Sequence, residues 1–381
     1  MHLSFQKIFY AFGTVFAFFA LLVLAKSVLI PLAFAFLIAF ILFPVSRKFE
    51  SWGVNKIMAV SLSMLTLFLI IGGGLYLFSN QIIHLSEDIT DFKDKIIRLF
   101  ADVTLYINNN LGFVGNLEEG ELFDKLKGRL NKSVGTLISQ TFSGTSDFFI
   151  GLLSAIVYTF LILIYRNGLI NALVRIYPQE NREKAFNMFK SVQKVGQQYL
   201  FGMLLIVLIL GLVNSVGLWI IGLDSPFLFG FLASLLAIIP YAGTLLGAAI
   251  PILYAFIFSD SLWTPITIAI FFWLVQVIES NFLTPKIVGG KLQVNALTSI
   301  ISIIIGASVW GIAGMILFLP FSAMFRVVCE EYTELKPIAL LIGDQNYNDN
   351  SDKMQYRWVG KVKGWFSKFR STLIKNKQTD E

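Results

Sequence analysis

The sequence predicts an all-α, polytopic helical membrane protein with about eight hydrophobic segments. Composition is the first reason. Of 381 residues, 56% are hydrophobic and 14% charged, against about 25% charged in a soluble domain, and mean hydropathy is +0.73. Patterning is the second. Uncharged runs of about 18 residues or more, long enough to cross the bilayer core as helix, cover 8–25, 27–46, 57–86, 148–165, 195–223, 225–259, 261–278 and 292–325. Charge is the third. The net +6 gathers in connections and in the C-terminal tail, where the positive-inside effect puts it. It is not a nucleic-acid footprint.

The elements follow in order. "VLA" before Lys26 resembles a signal-peptide cleavage site, but the second run begins at once, which favours an uncleaved first span. Arg47, Lys48 and Lys56 follow the second run. Arg166, Arg175, Arg182, Lys184, Lys190 and Lys194 follow the fourth, and Lys286 and Lys291 the seventh. These and the basic tail share one side if both termini are cytoplasmic. The 225–259 and 292–325 runs must then each enter and leave on the same face. At 35 and 34 residues they exceed one span of about 20 residues and fall short of two. A hairpin of two half-length helices fits both length and charge.

Each long run carries a break. In "IPYAG", Pro240 lacks a backbone N–H and ends one arm, Tyr241 sits at the tip, and Gly243 permits the turn. In "IGASVWGIAG", Gly306, Gly311 and Gly314 are the permissive positions. Two interrupted hydrophobic segments point to a transporter binding site. The bland alternative is that these glycines only let helices pack closely.

Four regions result: helices in 1–80, an extracytoplasmic insertion in 81–146, a core transport region in 147–335 and a basic cytoplasmic tail in 336–381. The insertion carries a heptad seam (Ile82, Leu85, Ile89, Phe92, Ile96, Leu99, Val103, Tyr106), then Phe123, Leu126, Leu130, Val134 and Leu137, read as a helical hairpin. The 167–199 segment is a mostly helical cytoplasmic stretch, with a helix starting after Pro178. In the tail, Trp358, Val362, Trp365, Phe366 and Phe369 alternate with basic residues, as in an interfacial amphipathic helix on an anionic leaflet. A solvated basic tail is the plainer reading.

Catalytic parts are missing. "GGK" at 289–291 lacks the rest of a phosphate-binding loop. His2 and His84 stand apart, and Cys329 is the single cysteine. No triad, disulfide or metal-ligand spacing can be assembled from them. No cofactor is expected. What remains is polar chemistry in a membrane context. Gln276, Glu279 and Ser280 lie three and four apart on one helical face, with Asn281 beside them. Pro285 is expected to end that helix, with Lys286 just beyond. A carboxylate there needs a polar cavity or a partner. It serves as a cation or proton site, as part of a gate, or as an interfacial Glu meeting water or Lys286. Asp224 in "GLDSP" reads as a solvated turn residue.

At "PLAFAFLIAFILFPV" (31–45), "IIPYAGTLLGAAIP" (238–251), "VQVIESNFLTPKIVGGKLQVNALTSI" (275–300) and "WGIAGMILFLPFSAMFRVV" (310–328) the chain resembles the autoinducer-2 exporter family of bacterial permeases. The "IPYAG" and "ESNFLTPKIVG" blocks are the specific ones. The likeness covers roughly 5–335 and stops before the tail. It implies a homo-oligomeric transporter with half-helices, whose members are linked to autoinducer-2 export or to sodium or lithium exchange for protons. It places Pro240 and Gly243 at a hairpin tip, and Gln276, Glu279, Asn281, Pro285 and Lys286 near the transport path.

The expectation is therefore a permease of the bacterial cytoplasmic membrane that moves autoinducer-2 or a similar small polar molecule without ATP. A sodium or lithium/proton antiporter is one alternative, with a monovalent cation as partner. A non-transporting membrane scaffold is another. The pathway is expected where both broken segments approach the 262–285 helix.

Overall fold

The computed structural model describes residues 5–79, 81, 83, 149–239, 242–259, 261–289 and 294–343. The insertion's seam, the tail after residue 343, Pro240 and Tyr241 lie outside the described residues. Among those described, the only β pairing is an isolated bridge between Val294 and Gly343. The helices are α1 (Phe5–Leu24), α2 (Lys26–Ser51), α3 (Lys56–Ser79), α4 (Phe149–Arg175), α5 (Arg182–Ile221), α6 (Pro226–Leu236), α7 (Ala242–Phe258), α8 (Trp263–Ile278), α9 (Ala296–Glu331) and α10 (Lys336–Ile342). Six of them, α2, α3, α4, α5, α8 and α9, are long and apolar enough to cross a membrane. The first run, expected as a full span, is instead among the shorter apolar helices, with Phe12–Leu24 as its apolar part.

The outer faces are apolar. Phe12, Phe16, Tyr76, Ile220 and Trp263 all stand exposed. In water such a surface would drive aggregation; in hydrocarbon it is the matching solvent. Lipid also removes most of the hydrophobic drive between helices, so close packing and internal hydrogen bonds must hold the bundle. Both are present. Gly196 lets Phe40 of α2 and Met324 of α9 approach α5. Gln197 donates to the Phe40 carbonyl at 3.1 Å. Arg166 of α4 pairs with Glu50 of α2 at 2.5 Å, beside buried Ser46.

The central helix is α5. Its 40 residues rise about 60 Å, so it runs from Arg182, in the second half of the 167–199 stretch, on into the fifth apolar run without a break, while 167–175 continues α4. The helix start after Pro178 is as expected: one short turn at Gln179–Asn181 leads into Arg182. At its N-terminal end Lys184 lies 3.8 Å from Glu331 of α9. Nearby, the hydrogen bond between the Tyr332 hydroxyl and Tyr177, which holds the neutral phenol, pushes Tyr332 up to about 12. At its C-terminal end the chain turns through exposed Asp224, as expected, into α6. There the Leu228 N–H is capped by Gln81 Oε1 at 2.9 Å.

Candidate functional site

Both long runs fold back on themselves. In hairpin A, α6 and α7 run antiparallel: Phe229 meets Tyr254 with ring centroids 4.7 Å apart, Gly247 faces the Ala233 carbonyl, and Gly243 faces the Leu236 carbonyl. The 11 residues of α6 rise about 16 Å, roughly half the bilayer core. In hairpin B, α9 is two arms, 296–309 and 312–331. They are separated by Trp310 (φ −129°, ψ 15°) and Gly311 (φ 59°, ψ −135°). That second pair of angles is open only to glycine. Gly306 and Gly314 face each other's carbonyls across the arms, and Ser302 and Ser322 hydroxyls meet at 2.7 Å.

The ends of each hairpin sit together. Asn295, at the start of α9, donates through Nδ2 to the Leu341 carbonyl at 2.6 Å. Its own N–H reaches the Ile342 carbonyl at 2.9 Å. Its Oδ1 accepts from the Thr298 N–H at 2.8 Å, capping the first arm. So the chain enters and leaves hairpin B on one side. Hairpin A opens at the other end of α5, where Leu218, Leu223, Phe229 and Tyr254 share a core cluster with α8 residues Ile268 and Phe272. Two helical hairpins thus open at opposite ends of one long helix.

Their tips reach a common depth. Gly211 touches Phe231, so Leu236, five residues on, lies near the level of Ile206 by helical rise. Trp310 at tip B packs on the cluster that Met203 and Ile206 also join. On α8, Phe271 touches Gly217, and Ile287 joins the cluster of Leu200. That antiparallel register puts Glu279 near the level of Ile209.

Glu279 sits where α8 changes its winding. Glu279–Leu283 and Pro285–Gly289 are π-type turns. Pro285 therefore does not end the helix, contrary to the sequence expectation. The wider turns accommodate a residue that lacks an N–H and would clash with the carbonyl four residues back. The Thr284 N–H reaches back five residues to the Glu279 carbonyl. The Thr284 hydroxyl donates to Glu279 Oε1, and Gln276 Nε2 donates to Oε2 at 2.7 Å. Ser280 bonds the Gln276 carbonyl and Asn281 the Val277 carbonyl, both at 2.8 Å. Glu279 is half-buried; Ser280, Asn281, Pro285 and Lys286 are exposed.

The structure joins some of the expected site residues and separates others. Gln276 and Glu279 form one cluster. Gly243 belongs to the first turn of α7, where it serves close approach rather than the turn itself. A Cβ there would lie 1.7 Å from the Leu236 carbonyl oxygen. Gly306 and Gly314 also serve close approach, and Gly311 makes the turn. Hairpin A packs on α5 and α8, whereas hairpin B packs on α1, α2 and α5. The expected meeting of both hairpins at α8 is thus met by hairpin A, while hairpin B shares only its depth.

Three residues went unread in the sequence. Thr284 follows Glu279 by five, a spacing that only π winding pairs. Asn214 of α5 is 4% exposed, and its Oδ1 is buried without a hydrogen-bond partner. Its signal was available: it is the one Asn in the 195–223 run. Tyr199 has a buried hydroxyl, also without a partner, among Ala33, Leu37, Leu200 and Leu317. Among the described residues, no group of three or more His, Cys, Asp or Glu could hold a metal ion.

Apolar outer faces, helices long enough to span a bilayer, two broken helical hairpins and a half-buried carboxylate at their depth define a class, the multi-pass membrane transporters. The family model described as "AI-2E family transporter" matches residues 9–334. The chain belongs to that family. It is 25% identical over 82% of its length to the "Putative transport protein YrrI" of Bacillus subtilis, covering 88% of that protein. It is 26% identical over 84% of its length to YueF of the same organism, again covering 88%. To the "AI-2 transport protein TqsA" of Escherichia coli it is 23% identical over 84% of its length, covering 91%.

Proposed function

We propose that this chain is a secondary permease of the bacterial cytoplasmic membrane, with both termini cytoplasmic, that moves a small polar solute without ATP. One observation carries the reading. Two hairpins enter from opposite ends of α5 and stop at the depth of the Gln276, Glu279 and Thr284 cluster. Inside a bilayer, any backbone N–H or C=O group that a helix break frees can be satisfied only by protein or a polar solute. Half-buried Glu279 adds an acceptor or a coupling charge. Autoinducer-2, named for TqsA, is the first organic solute to test.

A cation/proton antiporter is the second reading, and Glu279 is the observation behind it. The test uses purified protein in sealed liposomes with a pH gradient and a pH-sensitive dye. Sodium, lithium or potassium is added to parent and Glu279→Gln vesicles. Cation-dependent dissipation that the variant loses assigns antiport coupling to Glu279. Without dissipation, autoinducer-2 efflux is measured in the same vesicles. Silence in both assays, with oriented protein verified, overturns the permease reading for these solutes.

A further inference from the structure

A second cavity lies away from the Glu279 cluster. About 450 Å³ in volume, it is bounded by α2, α4, α5 and the second arm of α9. Phe40, Leu163, Ile170, Val192 and Phe321 are among its walls, and among the described residues its polar lining is Arg166 and Gln193. A small polar solute would lose its hydration in such a chamber and gain almost no hydrogen bonds, so this is not the solute path. Leu169, Leu173 and Phe325 line it and are also exposed. It therefore opens sideways, on the outer face of the bundle.

Its basic end is built for an anion. The Arg166 guanidinium lies 5.2 Å from the Phe43 ring centroid, and the Arg47 guanidinium lies 5.8 Å from the same centroid. Phe43 itself lines the cavity. The Lys190 ammonium sits 4.3 Å over Phe186, one residue from lining Phe189 with its own position exposed. Glu50 neutralises Arg166. Among the described residues Arg47 and Lys190 pair with no carboxylate, so positive charge is left over. Arg166 uses one guanidinium nitrogen on Glu50 and another on Ser46, and a guanidinium has five N–H donors.

We propose that this cavity binds an acidic phospholipid. One acyl chain fills the apolar chamber, and the phosphate sits against Arg47, helped by the remaining N–H groups of Arg166. Basic pockets between membrane helices at a cytoplasmic face suit acidic headgroups in just this way. The chamber's volume and sideways opening call for a chain-bearing ligand and not for free phosphate.

The test is native mass spectrometry of the full-length protein from mixed micelles holding equal phosphatidylglycerol and phosphatidylcholine. The parent is expected to retain phosphatidylglycerol preferentially. Arg47→Gln, at an exposed position, should reduce that retention about fivefold, the worth of one cation at a membrane surface. It should leave phosphatidylcholine unchanged. Ile170→Trp fills the chamber and should reduce both lipids. Equal retention of the two lipids by the parent overturns the proposal. So does phosphatidylglycerol retention that is unchanged in Arg47→Gln. If Ile170→Trp fails to fold, the Arg47→Gln comparison alone decides.

Discussion

Hairpin A enters beside the C-terminal end of α5 and lies against α5 and α8, while hairpin B enters beside the N-terminal end and packs on α1, α2 and α5. Hairpin B also borders a cavity of about 650 Å³, lined in part by Trp310, Ser302 and Ser322. Hairpin A has glycine contacts on both sides: Gly230 against Ser215 of α5, and Gly243 and Gly247 within the hairpin. Hairpin A is thus stitched to α5 on one face while Leu245, Leu246 and Leu253 stay exposed on another, and hairpin B has a cavity on one flank. The same sequence device, a break in a long apolar run, yields a hairpin in close backbone contact with α5 in one place and a hairpin flanked by a cavity in another.

The largest effects should come from the contacts that both hairpins share. A Cβ on Gly243 would meet the Leu236 carbonyl oxygen at 1.7 Å, and one on Gly314 would meet the Gly306 carbonyl oxygen at 1.9 Å. Both neighbours are backbone and cannot rotate away. Gly243→Val and Gly314→Val should each cost about 4 kcal/mol or more, read as a large fall in thermal unfolding temperature in detergent. A Gly314→Val protein as stable as the parent would break the comparison, since hairpin B would not need its arms so close.

Next come changes that should stop transport and spare the fold. Glu279→Gln keeps shape and one acceptor oxygen, so unfolding should shift little while flux or coupling falls. Asn214→Leu sharpens the point. Replacing an unsatisfied buried polar group with an apolar one of similar size is close to neutral or stabilising. If Asn214 contacts solute, the Leu variant should match or exceed the parent in thermal unfolding and still lose transport. A variant that is stable and transports normally removes Asn214 from the path.

Gly311→Ala should fall below the valine substitutions in size. No atom lies within 4 Å of a Cβ there, but φ is +59°. The cost is strain alone, about 1–3 kcal/mol. A stability loss as large as that of Gly314→Val would mean that the turn, and not the contact between the arms, sets hairpin B.

Much of this architecture was legible because lipid imposes a coarse rule: apolar runs of a given length become helices. Runs too long for one span and too short for two became hairpins for the same reason. Pro and Gly marked the breaks, and charge asymmetry called for same-face ends. The individual roles were not legible. Gly243 and Gly311 look alike in sequence, yet one is a contact and the other a turn, because only the partner backbone distinguishes them. Thr284 was invisible to any pattern built on α-helical spacing. The effect of Pro285 was misjudged because a π turn and a helix end need the same residue.

The smallest prediction compares the two ends of hairpin B. At its mouth, Asn295 caps the first arm through Thr298 and holds the Leu341 and Gly343 carbonyls beyond the second. At its tip, Trp310 Nε1 donates to the Leu22 carbonyl at 2.9 Å, in the last turn of α1, where helix carbonyls lose their donors. Asn295→Ala should cost about 1 kcal/mol, the usual worth of such a cap. Trp310→Phe keeps most of the ring and loses one interhelical hydrogen bond, worth about 0.6 kcal/mol in a membrane. The tip should therefore be the easier end to release. A paired spin label on Leu22 and Ser308 should show a broader distance distribution in Trp310→Phe than in Asn295→Ala. The reverse order would place the hinge of hairpin B at its mouth.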